Sequence, residues 1–330
     1  MSTPSRESSL DPAKGNTREA TKGPVIIDCD PGVDDAIALL LGFGHQLPIQ
    51  GITTVAGNVP LSLNYRNARK ICTLANKSEV PVFAGCPRPL LRPLATAEEV
   101  HGATGLQGAD LPEPTAPEQA QHGVDYLIQQ LLKTSEPITI AALGPLTNLA
   151  VALIKCPQIV KSIKQLVVMG GSRGQGNITP SAEFNMYVDP HAAQVVLTAG
   201  IPTTLITLDT THQVLTTSSR LDAIRAIGGP ISTAAAGMLA FYGQSDLERY
   251  GLPGAPLHDP CVIAYLLKSE LFTTRRVQVT VETQGENTLG RTVVDWHGDG
   301  SNSTIQVVES VNTEGIYDLL LTALSALTEN

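Results

Sequence analysis

The sequence contains no Cys-x-x-Cys pair, and its five cysteines (Cys29, Cys72, Cys86, Cys156 and Cys261) are an odd, dispersed set. That pattern argues against a disulfide framework and for buried thiols in a reducing compartment. No apolar run reaches the roughly 18 residues of a membrane helix, so no span is expected. Basic residues are few and scattered. Against 31 Asp and Glu there are 22 Lys and Arg, giving a net charge of −9, and Arg275-Arg276 is too short to be a phosphate-neutralising stripe. Nucleic acid and membrane are therefore excluded as partners, and a cytoplasmic location is expected. Residues 1–22 are polar and lack the apolar core of a signal peptide. Three acidic residues, Glu7, Asp11 and Glu19, interrupt any transit-peptide pattern, so the segment reads as a disordered extension.

What the chain does have is enough apolar sequence, 42% of residues, for a substantial core. From residue 25 to about 210, short β-rich runs alternate with helical patterns. The strands expected are Val25–Asp30, Ile49–Ala56, Pro81–Ala84, Ile138–Leu143, Leu166–Met169 and Thr203–Leu208. Between them the pattern predicts helices over Asp34–Gly42, Asn64–Ala75, Val124–Lys133, Leu146–Ile154 and Pro190–Thr198. This alternation predicts an α/β fold: a Rossmann-like, open, mostly parallel sheet flanked by helices. Beyond residue 210 the rhythm changes. Ile231–Tyr250, His258–Leu267 and Glu314–Leu327 read as helices, and Arg276–Glu282, Thr292–Trp296 and Ile305–Glu309 as short strands that could pair antiparallel. No linker divides the chain, so residues 23–330 are expected to form a single domain with a C-terminal elaboration. Leu90–Pro117 is a long Pro- and Gly-containing loop, and loops of that length are often functional.

Four carboxylates, Asp28, Asp30, Asp34 and Asp35, lie where the first strand gives way to the first helix. Ionised carboxylates so close repel one another, so they must take up protons or share a cation. A hard, oxygen-binding ion such as Ca²⁺ or Mg²⁺ suits them. An N-cap would account for one of Asp34 or Asp35, but not for four acids together.

Ligands of open parallel sheets bind at the carboxyl ends of the strands. Four further polar clusters fall at such positions: Thr53–Asn58, Ala142–Asn148, Met169-Gly170-Gly171 through Asn177 to Glu183-Phe184-Asn185, and Leu257-His258-Asp259-Pro260. If the fold is right, all five clusters converge on one pocket. Each also has a plainer reading. The glycines could be turn residues and only a weak phosphate signal. Asn148 could bond local backbone, and a lone His258 could be structural, although its pairing with Asp259 at a helix start favours function.

The run Asp28-Cys29-Asp30-Pro31-Gly32-Val33-Asp34-Asp35 resembles the aspartate signature of the inosine/uridine-preferring nucleoside hydrolases. Further blocks that resemble the family follow in order: Thr53–Asn58, His101–Leu106, Leu143–Asn148, Val168–Gly171, Ala182–Asn185 and His258-Asp259-Pro260. The resemblance spans roughly residues 24–330. It implies Ca²⁺-dependent hydrolysis of the N-glycosidic bond of ribonucleosides to ribose and free base, in nucleoside salvage, by a homodimer or homotetramer. It implies Asp30 as general base on the metal-bound water. Asp35 and Asp259, with Asp30 and the Leu143 carbonyl, would hold the Ca²⁺. Some relatives carry Thr at the Leu143 position, and a backbone ligand makes that difference immaterial. Asp34, Asn58, Asn177, Glu183 and Asn185 would contact the ribose. His258 and His101 are the candidates for serving the leaving base, with His258 favoured. Purine-specific relatives stack the base between tryptophans. The single Trp296 lies outside these blocks, which points to uridine and cytidine, with inosine as a further substrate. Phe241, Tyr242 and Tyr250 could supply aromatic contacts to the base or pack in the core.

Two rival readings remain on sequence. A haloacid-dehalogenase-like phosphatase also places Asp-x-Asp after a first strand, but Pro31-Gly32 follows here and no suitable later Lys is evident. A catalytically idle ribose- or nucleoside-binding protein would have no need for Asp30 and His258.

Overall fold

The computed structural model describes residues 23–250 and 253–329, so the extension expected at residues 1–22 lies outside the described residues. The chain begins with β1 (Val25–Cys29), α1 (Val33–Gly44), β2 (Ile49–Thr54), α2 (Leu61–Leu74), β3 (Val82–Ala84) and the short α3 (Glu98–His101). It continues through α4 (Gly123–Lys133), β4 (Ile138–Ala142), α5 (Thr147–Lys155), β5 (Ile163–Met169), α6 (Phe184–Val188), α7 (Pro190–Leu197) and β6 (Thr203–Ile206). Then come α8 (Leu208–Thr211), β7 (Leu215–Thr217), α9 (Ser218–Ile227), α10 (Gly229–Tyr250), β8 (Gly254–Pro256) and α11 (Pro260–Leu267). The last elements are β9 (Phe272–Arg276), β10 (Gln278–Val281), β11 (Thr292–Asp295), β12 (Ile305–Val311) and α12 (Thr313–Thr328).

Eight strands form the central sheet in the order β3-β2-β1-β4-β5-β6-β12-β9. All neighbours pair in parallel except β12 and β9. β1 and β4 are fully buried, as expected of parallel strands covered on both faces. Alternation along β1 sends Val25, Ile27 and Cys29 into the core with α1, α11 and α12, and Ile26 into the core with α4, α5 and α7. Helix α1 is buried from Val33 to Phe43, which explains why Ala36–Phe43 carries no polar residue: a helix apolar all round belongs inside. Among the described residues no helix is long and apolar enough to cross a membrane.

The C-terminal part departs from expectation in two places. The strand expected over Arg276–Glu282 is β10, Gln278–Val281, which pairs antiparallel with β11 outside the main sheet. The strand just before it, Phe272–Arg276, was not expected and pairs with β12 at the edge of the main sheet. β12 has the antiparallel partner that was open to it, β9, but it also lies parallel to β6 and so joins both to the main sheet. The strands β7 and β8, three residues each, form a small antiparallel pair too short to leave a periodic signal. The register aligns the carboxyl ends where the site must form: Asp28 pairs with Thr53 and Ala142, and Ala142 with Val168.

Candidate active site

A cavity opens at that edge, and all five polar clusters contribute to it. Asp30 and Asp34 come from the β1–α1 junction, Asn58 from beyond β2, and Leu143 from the end of β4. Met169, Asn177, Glu183, Phe184 and Asn185 come from β5 and the segment running into α6, and His258 and Asp259 from the start of α11. His101 from α3 and Tyr242 from α10 complete the wall. Among the described residues, no Lys or Arg lines the cavity.

The acids form the floor. Asp35 Oδ1 accepts the Asp30 N–H (3.1 Å), and its Oδ2 accepts the Gly32 N–H (2.9 Å) and Asn58 Nδ2 (3.1 Å). Asp35 therefore does cap its helix, but capping is only part of its role. Asp30 Oδ2 accepts the Asn58 N–H at 2.7 Å, while Asn58 Nδ2 also donates to the Asp30 carbonyl (3.0 Å). Two glycines press on the same carboxylate. A Cβ on Gly57 would stand 2.0 Å from Asp30 Oδ2, and one on Gly144 2.2 Å from Oδ1. These are close approaches that only a residue without a side chain permits.

Asp34, Asp35 and Asp259 each place a carboxylate oxygen within 4.8 Å of the others, and all three are buried. Burial, and then the charge of Asp35, holds the Asp30 carboxyl well above its ordinary range. Burial and the charge of Asp34 do the same to Asp259. Asp35 is raised to about 6 by burial, against the opposing pull of the Gly32 and Asp30 N–H groups, and it is hydrogen-bonded to Asp259. Buried acids that repel one another, with no cationic side chain lining the cavity among the described residues, suit a hard divalent cation, which takes oxygen ligands in flexible geometry. The Leu143 carbonyl fits as a donor too. It accepts Asn185 Nδ2 at 2.6 Å and has a second lone pair.

Asp28 is not part of the cavity lining. It lies beneath the floor, where Oδ1 accepts Thr53 Oγ1 (2.5 Å) and Asn148 Nδ2 (2.7 Å), and burial raises it to about 7 despite those bonds. Asn148 is more than a local cap: it also donates to the Thr54 carbonyl and accepts the Cys86 N–H, joining β1, β2 and the chain after β3.

On the opposite wall, Glu183 accepts three backbone N–H groups, from Asn185 and Met186 at the start of α6 and from Gly171. Burial lifts it to about 7 against those bonds. Asn177 Oδ1 accepts the Phe184 N–H, so the predicted polar residues of this segment brace one another.

The histidines line the remaining side. Gly32 offers α1 no capping side chain, and His101 Nδ1 takes the Val33 N–H instead (3.1 Å). Burial lowers the His101 ring to about 3, so it stays neutral with its proton on Nε2. It stacks on Tyr242 with ring centroids 5.3 Å apart. His258 is held well below its usual range by burial first, then by His212 and His101. Of the aromatic candidates, Tyr242 lines the cavity and Phe241 does not. Phe241 faces the backbone of the long loop, where a Cβ on Gly108 would meet Phe241 Cβ at 2.9 Å. The Tyr250 side chain lies outside the described ones. Trp296 is likewise not in the lining, and the guanidiniums of Arg173 and Arg275 lie over its ring.

Sequence reasoning missed His212, Ile178 and Glu99, which also line the cavity. His212 could have been found. It closes α8 immediately after β6, and the strand-end rule that selected the other clusters applies there equally.

Comparison with known proteins agrees with this geometry. The sequence model of the family described as inosine-uridine preferring nucleoside hydrolase matches residues 25–318. A pyrimidine-specific ribonucleoside hydrolase, RihA, of Enterobacter sp. (strain 638) is 45% identical over 92% of this chain and 97% of its own. An uncharacterised protein of Schizosaccharomyces pombe is 44% identical over 92% of this chain and 99% of its own. Among solved structures, a purine-preferring ribonucleoside hydrolase from Gardnerella vaginalis superposes with a TM-score of 0.88 at 30% identity, covering 93% of this chain and 99% of its own.

Proposed function

Because this chain belongs to the inosine-uridine preferring nucleoside hydrolase family, we propose that it hydrolyses the N-glycosidic bond of pyrimidine ribonucleosides. Uridine and cytidine are the main substrates, inosine a further one, and the products are ribose and free base. The observation that carries this reading is the convergence of Asp30, Asp34, Asp259, Asn58, Glu183 and Asn185 with three histidines in one cavity that, among the described residues, is lined by no Lys or Arg. The pyrimidine preference is supported by the identity to a pyrimidine-specific enzyme and by the absence of tryptophan from the cavity lining.

Ribosyl transfer to water passes through an oxocarbenium-like, cationic transition state. Fixed carboxylates around the sugar stabilise that charge, and they do so more strongly in a dry site than in water. In this reading Asp30, pinned by the Asn58 N–H and two glycines, accepts the proton of the attacking water at Oδ1 or Oδ2. Asp35, Asp259, Asp30 and the Leu143 carbonyl would hold a Ca²⁺, which would supply a Lewis acid that lowers the pKa of a bound water. Asp34, Asn58, Asn177, Glu183 and Asn185 bind the ribose. His258 serves the leaving base, which must be protonated or otherwise stabilised. His101, fixed as a neutral Nε2–H donor and stacked on Tyr242, orients it. A homo-oligomer acting in nucleoside salvage in the cytoplasm completes the reading. The five free, buried cysteines support a reducing compartment.

The decisive experiment is a panel of uridine, cytidine, inosine, adenosine and guanosine, read as kcat/KM for ribose release. Uridine or cytidine should rank first. A purine at the head of the panel would refute the pyrimidine preference, and no release from any member would refute the hydrolase.

A further inference from the structure

Thr211 has no part in the chemistry described so far, yet it touches a group that does. It is the last residue of α8, fully buried, with Oγ1 2.7 Å from His258 Nδ1. The hydroxyl also lies 3.4 Å from the Leu208 carbonyl. A threonine hydroxyl has one proton to give. Hydrogen bonds from hydroxyl to oxygen span about 2.5–3.0 Å, so the shorter contact, to Nδ1, is the better acceptor for that proton, and we assign it there. With Nδ1 accepting, the ring proton of neutral His258 sits on Nε2. The ring lies near that of His212, with centroids 5.7 Å apart at 58°, and His258 lines the cavity.

The hydroxyl is itself anchored. Leu208 N–H bonds to the Gly171 carbonyl, Thr211 N–H to the Thr207 carbonyl, and Thr210 Oγ1 to the Val308 carbonyl. Helix α8 is thereby tied to the end of β5 and to β12, so the sheet itself sets where Thr211 stands. His101 is held in the same tautomer by a different device, the Val33 N–H. Two of the three cavity histidines, His101 and His258, thus present Nε2–H, one fixed by backbone and the other by a side chain.

We propose that Thr211 is the positioning residue of His258: its hydroxyl fixes the ring's rotation and tautomer so that Nε2–H faces the leaving base. The proposal rests on the reading that His258 serves the leaving group, and its test separates the two. Thr211→Val removes the hydroxyl at nearly constant shape, Thr211→Ser keeps it, and Thr211→Ala is a second hydroxyl-free variant should the valine not fold. Kinetics are read on uridine and on a nitrophenyl riboside, whose leaving group departs unaided. The tautomer of His258 is read by nitrogen-15 NMR of histidine-labelled protein.

Thr211→Val should lower kcat on uridine about 10- to 100-fold while KM and the nitrophenyl rate stay within about twofold. Its His258 signal should shift from Nε2–H to a tautomer mixture, and Thr211→Ser should restore both readouts. Equal losses on the two substrates, no loss on uridine, failure of serine to rescue, or an unchanged tautomer would each overturn the proposal. His258→Ala is the separate control. If it harms both substrates equally, the leaving-group reading falls, and the tautomer spectrum of Thr211→Val still decides whether Thr211 holds the ring.

Discussion

Gly144→Ala tests the idea that the position of the Asp30 carboxylate, and not merely its presence, carries the reaction. The added Cβ would stand 2.2 Å from Asp30 Oδ1, 2.8 Å from Cγ and 3.2 Å from Cβ. Reaching ordinary contact requires the carboxylate to move by about 1 Å, a misplacement that can cost about 100-fold in rate. It has nowhere to retreat, because the Asn58 N–H holds Oδ2 at 2.7 Å and Gly57 closes the other side. The backbone should tolerate the change, since Gly144 is not among the glycines in the left-handed region. The expected result is a kcat lowered about 100-fold, equivalent to about 2.7 kcal/mol, in a protein that still folds. Asp30→Ala sets the floor. Gly200→Ala is the control for stability: it meets no atom within 4 Å but has φ +77°, so it should cost about 1–2 kcal/mol of stability and leave turnover per folded molecule intact. Ribose release by a reducing-sugar assay, paired with thermal melting, reads all three. A Gly144→Ala enzyme turning over within about threefold of wild type would refute the argument from pinned geometry.

The remaining outcomes concern the proton, the sugar, the cation and the fold. His258→Ala should lower turnover on inosine far more than on an activated nitrophenyl riboside, and equal losses would count against its role at the leaving base. If ribose is held through both its hydroxyls, 2′-deoxyuridine should be a poor substrate, and cleavage at the uridine rate would sink that idea. Ca²⁺ added to chelator-treated protein should raise the melting temperature, since a ligand at 100 times its Kd contributes about 2.7 kcal/mol to the native state. Asp35→Asn should blunt that shift, and a melting temperature indifferent to Ca²⁺ would exclude a cation in the acidic floor. Glu183 is raised from 4.5 to about 7 in the fold, so the native state binds its proton more tightly than the unfolded chain. Its contribution is full below pH 4.5 and lost as pH rises through 7. Stability of the chelator-treated protein should fall across that window, and Glu183→Gln should flatten the fall. An unchanged slope in the variant would show that the Glu183 carboxyl is not its source.

The fold's outline was legible because its signals are local. Continuous apolar runs such as Val25-Ile26-Ile27 can satisfy only a strand covered on both sides, and the run from Ala36 to Phe43 only a buried helix. Elements of three to five residues, β7, β8 and α6 among them, are too short for periodicity to show. That β9 joins the main sheet while β10 leaves it was hidden for another reason: which partner a strand pairs with is settled across the sheet, not along the chain. The same limit applies to adjacent aromatics. Phe241 and Tyr242 differ by one step of a helix, about 100° of rotation, and only the docking of α10 sends one to the loop backbone and the other to the cavity.

The sequence by itself determined that four acids would crowd a strand-to-helix junction, and repulsion among them then demanded protons or a cation. It also determined which other clusters would stand at strand ends, because parallel strands carry their loops to one edge. Tertiary structure alone decided how those groups divide. It withdrew Asp28 beneath the floor, set Gly57 and Gly144 against Asp30, and brought Asp259 to Asp35. It gave His101 to the Val33 N–H and His258 to Thr211. Distances of a few ångströms between residues far apart in the chain arise only when the sheet closes its register, and it is at such distances that carboxylates and imidazoles shift their affinity for protons.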